Sequence, residues 1–222
     1  ETMFITQIKL AFPLMITEIA HHGAFILFYT MIENKLGAIT FEATSIVFRI
    51  MHVAFMPAIG VAQATATVIG KSLGEKNIKK AESSIIEGLR GSVFIMGGIG
   101  ILFIFFAKDI VPIFIDENLE YYSLIIDRAV PCLIFVGFLQ FIDPIAITLW
   151  FALSAAGDTK FPAIVDLIVN WLIFVPLLFI ATTYFQEYHI WGPWIAFSIQ
   201  LILLASCMVW RIKQGKWKTI EV

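Results

Sequence analysis

Charged residues are scarce in this chain. They make up 14% of its 222 residues, against 59% hydrophobic residues, and the mean hydropathy is +0.89. A soluble domain of 25.0 kDa could not bury that much apolar surface in its core. The composition therefore excludes an ordinary soluble globular protein and predicts a polytopic membrane protein.

Cysteine is rare as well, and the usual enzyme motifs are missing. Cys132 and Cys207 both lie inside apolar runs, which indicates small buried side chains and not a disulfide framework. The run GVAQATATVIGKS ends like a phosphate-binding loop but lacks the earlier glycine that the loop requires. No serine or cysteine nucleophile accompanies a positioned base. We therefore predict a protein that is not an enzyme, with no cofactor and no nucleic-acid partner.

Six long apolar segments run along the chain, each at or above the roughly 20 residues that a membrane-spanning helix needs. Connections rich in Gly, Asn, Asp, Glu and Lys separate the segments. The predicted fold class is all-α, with one bundle of six transmembrane helices that occupies residues 1–222 as a single domain. The helices are expected at about 4–33, 40–72, 82–107, 121–155, 161–183 and 190–212.

Basic residues gather on alternate connections. The loops on one side hold only Lys35 and Lys108. Because lysine and arginine are retained on the cytoplasmic side of a membrane, both termini are predicted to be cytoplasmic, in the plasma membrane. The basic residues of the predicted cytoplasmic side are Lys9, Lys71, Lys76, Lys79, Lys80, Arg90, Lys160, Arg211, Lys213, Lys216 and Lys218.

The fourth segment carries an ionisable group near its middle. Asp143 is followed at once by Pro144, and Gln140 and Thr148 share its helical face. A carboxylate at membrane depth is costly and is more often functional than structural. We predict that Asp143 binds a coupling cation and that Pro144 marks a helix bend, while a structural pair with a neighbouring helix remains the alternative.

The first segment carries a second polar group. Glu18, His21, His22 and Tyr29 follow one face, after a predicted bend at Pro13. A pair at i and i+4 could bind a metal, but zinc needs three or four protein ligands, so no metal site is predicted. Histidine changes charge near neutral pH, which favours proton transfer at Glu18 and His21. Interhelical hydrogen bonds would account for the same residues.

The second segment shows a polar stripe that either lines a path or packs against other helices. Arg49, His52 and Gln63 recur along it, and Pro57 permits a bend. A buried arginine needs a carboxylate or carbonyl partner. The candidate partners of Arg49 are Glu18, Asp127 and Asp143.

Less is predicted for the last two segments. Asp166 and Asn170 lie four residues apart in the fifth segment, but Asp166 follows Lys160 so closely that we expect it to be wetted at the cytoplasmic edge. The sixth segment offers Gln200 and two serines before a basic end, and no role is assigned to them.

Two runs of sequence resemble the multidrug and toxic compound extrusion (MATE) family. FRIMHVAFMPAIGVAQATATVIGKSLGEKNIKKAE is similar to the second helix of a MATE lobe and the connection after it, and LWFALSAAGDTKFP is similar to the turn after the tenth helix. The AFP opening and the terminal GKWK extend the resemblance to nearly all residues from Lys9 onward. The resemblance implies twelve helices in two six-helix lobes, with this chain similar to the C-terminal lobe.

The resemblance also implies a function and its site. It implies efflux of small amphipathic organic cations in exchange for protons or sodium ions. Asp143 stands where the family has an acidic residue in its tenth helix, fifteen positions before Asp158. His21 stands where many members have a glutamate in the seventh helix, and the carboxylate here is Glu18. Sodium prefers oxygen ligands, so a histidine at this place favours the proton as coupling ion.

The partners that follow are organic cations, membrane lipids and a second six-helix lobe, either in the same polypeptide or in a second copy. Two alternatives stay open at this point. One is a flippase of lipid-linked sugars, which shares the two-lobe architecture. The other is a half-size membrane scaffold that does not transport.

Overall fold

The computed structural model describes residues 2–219, with the side chains of 2–6, 9, 10, 13 and 14 left out. The predicted bend at Pro13 therefore lies outside the described side chains. Every regular element in the described range is helical, which confirms the predicted all-α class. The elements are α1 (Thr2–Leu36), α2 (Ala38–Gly74), α3 (Ile78–Ile113), α4 (Tyr122–Leu139), α5 (Asp143–Ala155), α6 (Lys160–Ile168), a π-helical segment (Val169–Phe174), α7 (Val175–Tyr184) and α8 (Trp191–Gln214).

Six of the helical stretches between residues 2 and 219 are long and apolar enough to cross a membrane. Consecutive spans run in opposite directions, so their connections alternate between two ends of the bundle. The basic end holds the turns at 75–77 and 156–159, and the Gly37 end holds Gly37, 114–121 and 185–190. Gly37 alone joins α1 to α2, and its φ of 87° is a conformation that glycine adopts without strain.

The fourth span is broken, where one helix over 121–155 was expected. Pro144 has no N–H, so the carbonyl of Gln140 loses its helical donor. The chain instead tightens into i to i+3 hydrogen bonds, from the N–H of Phe141 to Phe138 at 3.3 Å and from the N–H of Ile142 to Leu139 at 2.9 Å. The span is therefore two helices, α4 and α5, and α5 begins at Asp143.

The fifth span contains a π-helical segment that the sequence did not lead us to expect. The N–H of Val175 bonds to the carbonyl of Asn170, five residues back, and Pro176 follows. Single π-turns inside α-helices are found frequently at functional sites. The wider turn lets two successive residues, Asn170 and Trp171, both reach α1.

Two apolar clusters fill the bundle. The larger cluster lies toward the Gly37 end, where Phe28, Phe174 and Trp194 are fully buried. The smaller cluster lies at the basic end, around Leu153 and Trp217. A layer of buried polar side chains lies at the level between them, and its members are Thr65, Ser92, Gln140, Asp143, Thr148, Asp166, Asn170, Ser198 and Gln200.

The third span contacts the fourth most closely where two glycines face each other. A Cβ built on Gly100 would lie 2.5 Å from the carbonyl oxygen of Gly137, and one built on Gly137 would lie 2.7 Å from that of Gly100. Backbone atoms cannot move aside as a flexible side chain can. Only glycine at both positions allows this approach, which brings α3 against the end of α4 just before the break.

An ion pair holds the basic end together. Arg211 of α8 donates from Nε to Oδ2 of Asp158 at 2.6 Å and from Nη2 to Oδ1 at 3.2 Å. The same guanidinium lies 4.7 Å from the ring centroid of Phe161. Lys218 forms a further ion pair with Glu82. These contacts join α8 to the turn before α6, and the residues that follow α8 to α3.

Candidate functional site

A cavity of about 600 Å³ lies between α1, α2, α5, α6 and α8. Its size is in the range of small-molecule binding sites, and its wall mixes aromatic rings with a few polar groups, as such sites do. Six of the side chains that the sequence singled out line the cavity, namely Glu18, His21, His22, Tyr29, His52 and Asp143.

Asp143 is the buried carboxylate of the cavity. The residue is 3% exposed, and it stands at the first position of α5, directly after the break in the fourth span. Its Oδ2 has no hydrogen-bond partner among the described residues, and no described basic side chain forms an ion pair with it. An ionised carboxylate in such a place is costly unless a cation or proton accompanies it. Asp143 is therefore chemically suited to bind one.

Gln140 and Thr148 do not line the cavity, although the sequence placed them on one face with Asp143. Thr148 donates from Oγ1 to Oγ of Ser92 at 2.8 Å, so it contacts α3. The Cβ of Gln140 lies 2.9 Å from the place where a Cβ on Gly100 would stand, so Gln140 also packs on α3. The break at 140–142 puts Gln140 at the end of a different helix from Asp143, and Thr148 stands five residues after Asp143 in α5, about 140° around that helix.

Asp166 is part of the cavity wall, and the expectation that it is wetted at the edge is wrong. It is 7% exposed, because α6 packs against α1 and α8. Asp166 stands six positions after Lys160 in α6, a rise of about 9 Å at 1.5 Å per residue. That distance is enough to carry the carboxylate from the basic end into the bundle.

A hydrogen-bonded network around Asp166 joins the fifth span to α1 and α8. Nδ1 of His21 lies 3.5 Å from Oδ1 of Asp166 and 3.4 Å from Nδ2 of Asn170. Asn170 also donates to the backbone carbonyl of Asp166 at 2.9 Å and accepts from Nε2 of Gln200 at 2.5 Å. Sequence reasoning missed Gln200, although polar side chains are scarce enough in the sixth segment to have drawn attention to it.

The proton on His21 decides which of two contacts its Nδ1 makes. A protonated Nδ1 donates to Asp166, whereas an unprotonated Nδ1 accepts from Asn170. Both partners are within reach without movement of the chain. Trp171 holds α1 in place for either contact, since its Nε1 donates to the carbonyl of Ala20 at 3.1 Å. The π-helical segment thus carries two groups that contact α1.

Glu18 does not contact His21 in the way the sequence suggested. Its Oε2 lies 3.8 Å from Nε2 of His22, and both side chains are largely exposed, at 61% and 75%. This pair lies at the mouth of the cavity, while the partner of His21 is Asp166. The described side chains contain no group of three or more His, Cys, Asp or Glu residues that would suit a metal ion.

The polar stripe of α2 divides between cavity and surface. His52 lines the cavity, and its Nδ1 lies 3.3 Å from the carbonyl of Phe48. Arg49 and Gln63 are exposed and do not line it. The prediction that Arg49 has a carboxylate partner is wrong, because no ion pair joins Arg49 to any described acidic residue. α2 continues through Pro57 as one helix.

Aromatic rings form the apolar wall. Phe25, Phe48 and Phe197 pack edge to face at centroid distances of 5.4 to 6.1 Å, and Phe48 stacks on Trp194 at 4.9 Å. Trp150 and Phe151 of α5 complete the wall on the other side. Aromatic faces attract organic cations and cover apolar bodies. The wall is therefore suited to amphipathic cations.

Comparison with known proteins gives relatives of about twice the length. The Probable multidrug resistance protein NorM of Thermotoga maritima is 25% identical over 211 residues, which cover 95% of this chain and 44% of that relative. The Probable multidrug resistance protein YoeA of Bacillus subtilis is 24% identical over 188 residues, or 82% of this chain and 39% of the relative. The chain thus spans less than half the length of these curated relatives.

Solved structures show the same fold. A MATE protein crystallised in the straight conformation superposes with a TM-score of 0.86 at 16% identity, over 99% of this chain and 48% of that one. A MOP superfamily transporter from Pyrococcus furiosus superposes with a TM-score of 0.85 at 17% identity, over 96% of this chain and 47% of that one. The predicted arrangement, six transmembrane helices that form one lobe of a two-lobe architecture, is confirmed.

The family profile decides the assignment. The profile described as MatE matches residues 13–180, which is more than half of the chain and runs from within α1 to within α7, including the cavity residues of α5. The resemblance stated from the sequence is confirmed. This multi-pass membrane chain belongs to the MatE family.

Proposed function

We propose that the chain is one lobe of a secondary antiporter that exports small amphipathic cations in exchange for protons. The observation that carries the proposal is Asp143, a buried carboxylate with an unpaired oxygen that lines a cavity walled by aromatic rings. A proton and an organic cation both neutralise such a group. If they compete for it, each weakens the binding of the other, which is the linkage that an exchanger needs.

The break beside Asp143 supports the coupling. α4 and α5 are joined by residues 140–142, where the N–H groups of Phe141 and Ile142 bond three residues back instead of four, so α5 can change its angle without unfolding a helix. Discontinuous helices of this kind form ion and substrate sites in other secondary transporters. Protonation of Asp143 removes the need for a charged partner, and we propose that α5 then packs differently and releases the cation.

A proton is the favoured coupling ion. His21 occupies the position at which many family members have a glutamate, and it contacts Asp166 and Asn170. Sodium is bound by several oxygen ligands, whereas a histidine beside a carboxylate exchanges protons. Resemblance to the flippases of lipid-linked sugars would imply a cavity lined by basic residues. The part of the cavity wall that the structure describes contains no lysine or arginine, so this alternative is not favoured.

A second lobe completes the proposed transporter. The chain spans 44% of the Thermotoga relative and 48% of the superposed MATE structure. We propose that the partner is another six-helix lobe, in the same polypeptide or in a second copy, and that both termini lie in the cytoplasm at the plasma membrane. Transport is expected from the assembled pair and not from one lobe by itself.

The test is drug accumulation in cells that express the assembled transporter. Asp143→Asn keeps the shape of the side chain but cannot exchange a proton, so the variant should reach the membrane and lose gradient-driven efflux. Asp127→Asn is the matched control, since it changes an exposed carboxylate of α4. Efflux by Asp143→Asn that remains normal and dependent on the pH gradient would contradict the proposal.

A further inference from the structure

Two hydrogen-bond acceptors lack a donor at one end of the cavity. Oδ2 of Asp166 and Oε1 of Gln200 have no partner among the described residues, although the two residues are only 7% and 1% exposed. Both side chains line the cavity. A buried acceptor without a donor is rare and costs free energy. These two oxygens therefore indicate a ligand that brings hydrogen-bond donors.

Asn170 holds the two acceptors in fixed positions. It accepts from Nε2 of Gln200 at 2.5 Å and donates to the backbone carbonyl of Asp166 at 2.9 Å. Oδ1 of Asp166 lies 3.5 Å from Nδ1 of His21. The amide nitrogen of Gln200 and one carboxylate oxygen are thus engaged by protein groups. The other two oxygens remain for a ligand, and a network that packs three helices together fixes their positions.

We propose that Asp166 and Gln200 form a subsite for a protonated primary or secondary amine. The inference rests on the proposed export of cations and adds which chemical group the cation carries. A primary ammonium has three N–H donors and can satisfy both oxygens at once. A quaternary ammonium of equal charge has none, so it leaves both acceptors unpaired after it displaces water. The aromatic wall contacts the apolar body of either compound.

The experiment compares two probes that differ only at the ammonium group, where three N–H donors are replaced by three methyl groups. Dansylcadaverine carries a primary ammonium, and its N,N,N-trimethyl derivative carries the same charge, linker and fluorophore but has no N–H on the ammonium nitrogen. Their dissociation constants are measured by fluorescence titration of the assembled transporter, purified in detergent. We expect dansylcadaverine to bind at least about tenfold more tightly, since hydrogen bonds to a charged group contribute that much or more.

Variants assign the preference to the two side chains. Asp166→Asn replaces the free oxygen or its neighbour by an NH₂ donor, and Gln200→Met removes the amide at similar length. Each variant should weaken the binding of dansylcadaverine and so lower the ratio of the two affinities toward one. In Gln200→Met the affinity for the trimethyl compound should change little. Asp127→Asn should keep the ratio of the unmodified protein. Only variants that elute as a single species in gel filtration are compared. The ratio of the two probe affinities in the unmodified protein tests the subsite without any variant.

Equal affinities for the two probes in the unmodified protein would overturn the subsite. So would a preference that survives both Asp166→Asn and Gln200→Met. Neither result touches the proposed antiport, which would still be upheld by transport of either probe driven by a pH gradient. If neither probe binds or is transported, the proposed function fails, and this inference fails with it.

Discussion

The contact between Gly100 and Gly137 predicts how the bundle responds to a single methyl group. In Gly100→Ala the new Cβ would lie 2.5 Å from the carbonyl oxygen of Gly137 and 2.9 Å from the Cβ of Gln140. Such distances are well inside van der Waals contact, and one of the two atoms belongs to the backbone. α3 must therefore move away from α4, and the break before α5 must move with it.

The cost can be estimated from general experience with overpacked cores. Inserting one extra group into a close-packed site typically costs about 1–3 kcal/mol. For a chain of about this length, each 1 kcal/mol lowers the melting temperature by roughly 2–4 °C, so a decrease of about 5 °C is expected. Gly98→Ala is the control in the same helix, because nothing lies within 4 Å of its added Cβ.

Cys132 supplies the assay. Its side chain is fully buried, so a thiol-reactive fluorogenic dye labels it only after the bundle opens. Cys207 is replaced by serine beforehand, because it is only partly buried. Melting of the two glycine variants in detergent is then compared with that of the parent. The reasoning is refuted if Gly100→Ala melts at the same temperature as Gly98→Ala.

Two further predictions concern the ends of the bundle. A cysteine at Asn118, exposed at the Gly37 end, should react with an impermeant reagent added outside cells, while one at Asn77 should not; the reverse pattern would invert the proposed orientation. Asp158→Asn should destabilise the protein by about 2 kcal/mol, because it removes the charge that pairs with Arg211 in a largely buried site. Glu87→Gln, which breaks an exposed ion pair, should cost less than about 0.5 kcal/mol, and equal melting of the two variants would argue against the ion pair as a stabilising contact.

The spans were predictable because hydropathy is a property of local sequence. A run of twenty apolar residues has few structures open to it besides a membrane helix, so the six segments and the structure agree closely along most of their length. Interruptions inside a span are harder to predict. Pro144 and Pro176 both remove a helical donor, yet one is accompanied by a break and the other by a π-turn, while α2 runs through Pro57 as a single helix.

The site was only partly predictable, since it depends on which helices meet. Asp143 drew attention because a carboxylate in an apolar run is conspicuous in any arrangement. The pairing of His21 with Asp166 could not be derived from spacing, because 145 positions separate them and only the packing of α6 on α1 brings them together. Asp166 was misplaced because its sequence distance from Lys160 was judged without the rise of the helix.

Gln140 and Thr148 show the opposite error. Helical periodicity placed them beside Asp143, but that periodicity assumes an unbroken helix. The break at 140–142 puts Gln140 at the end of another helix, and Thr148 lies on a different side of α5 from Asp143, so the two side chains contact α3 instead of the cavity. Arg49 was expected inside the bundle for a different reason. The sequence does not say which face of α2 is left exposed, and Arg49 lies on that face.

The most direct test of the central claim, that Asp143 exchanges a proton for an organic cation, is proton release on substrate binding. Tetraphenylphosphonium is added to the assembled transporter in weakly buffered detergent solution, and the released protons are measured with a pH indicator. The unmodified protein is expected to release protons in proportion to the bound cation, and Asp143→Asn is expected to release none. Release by Asp143→Asn equal to that of the unmodified protein would contradict the account.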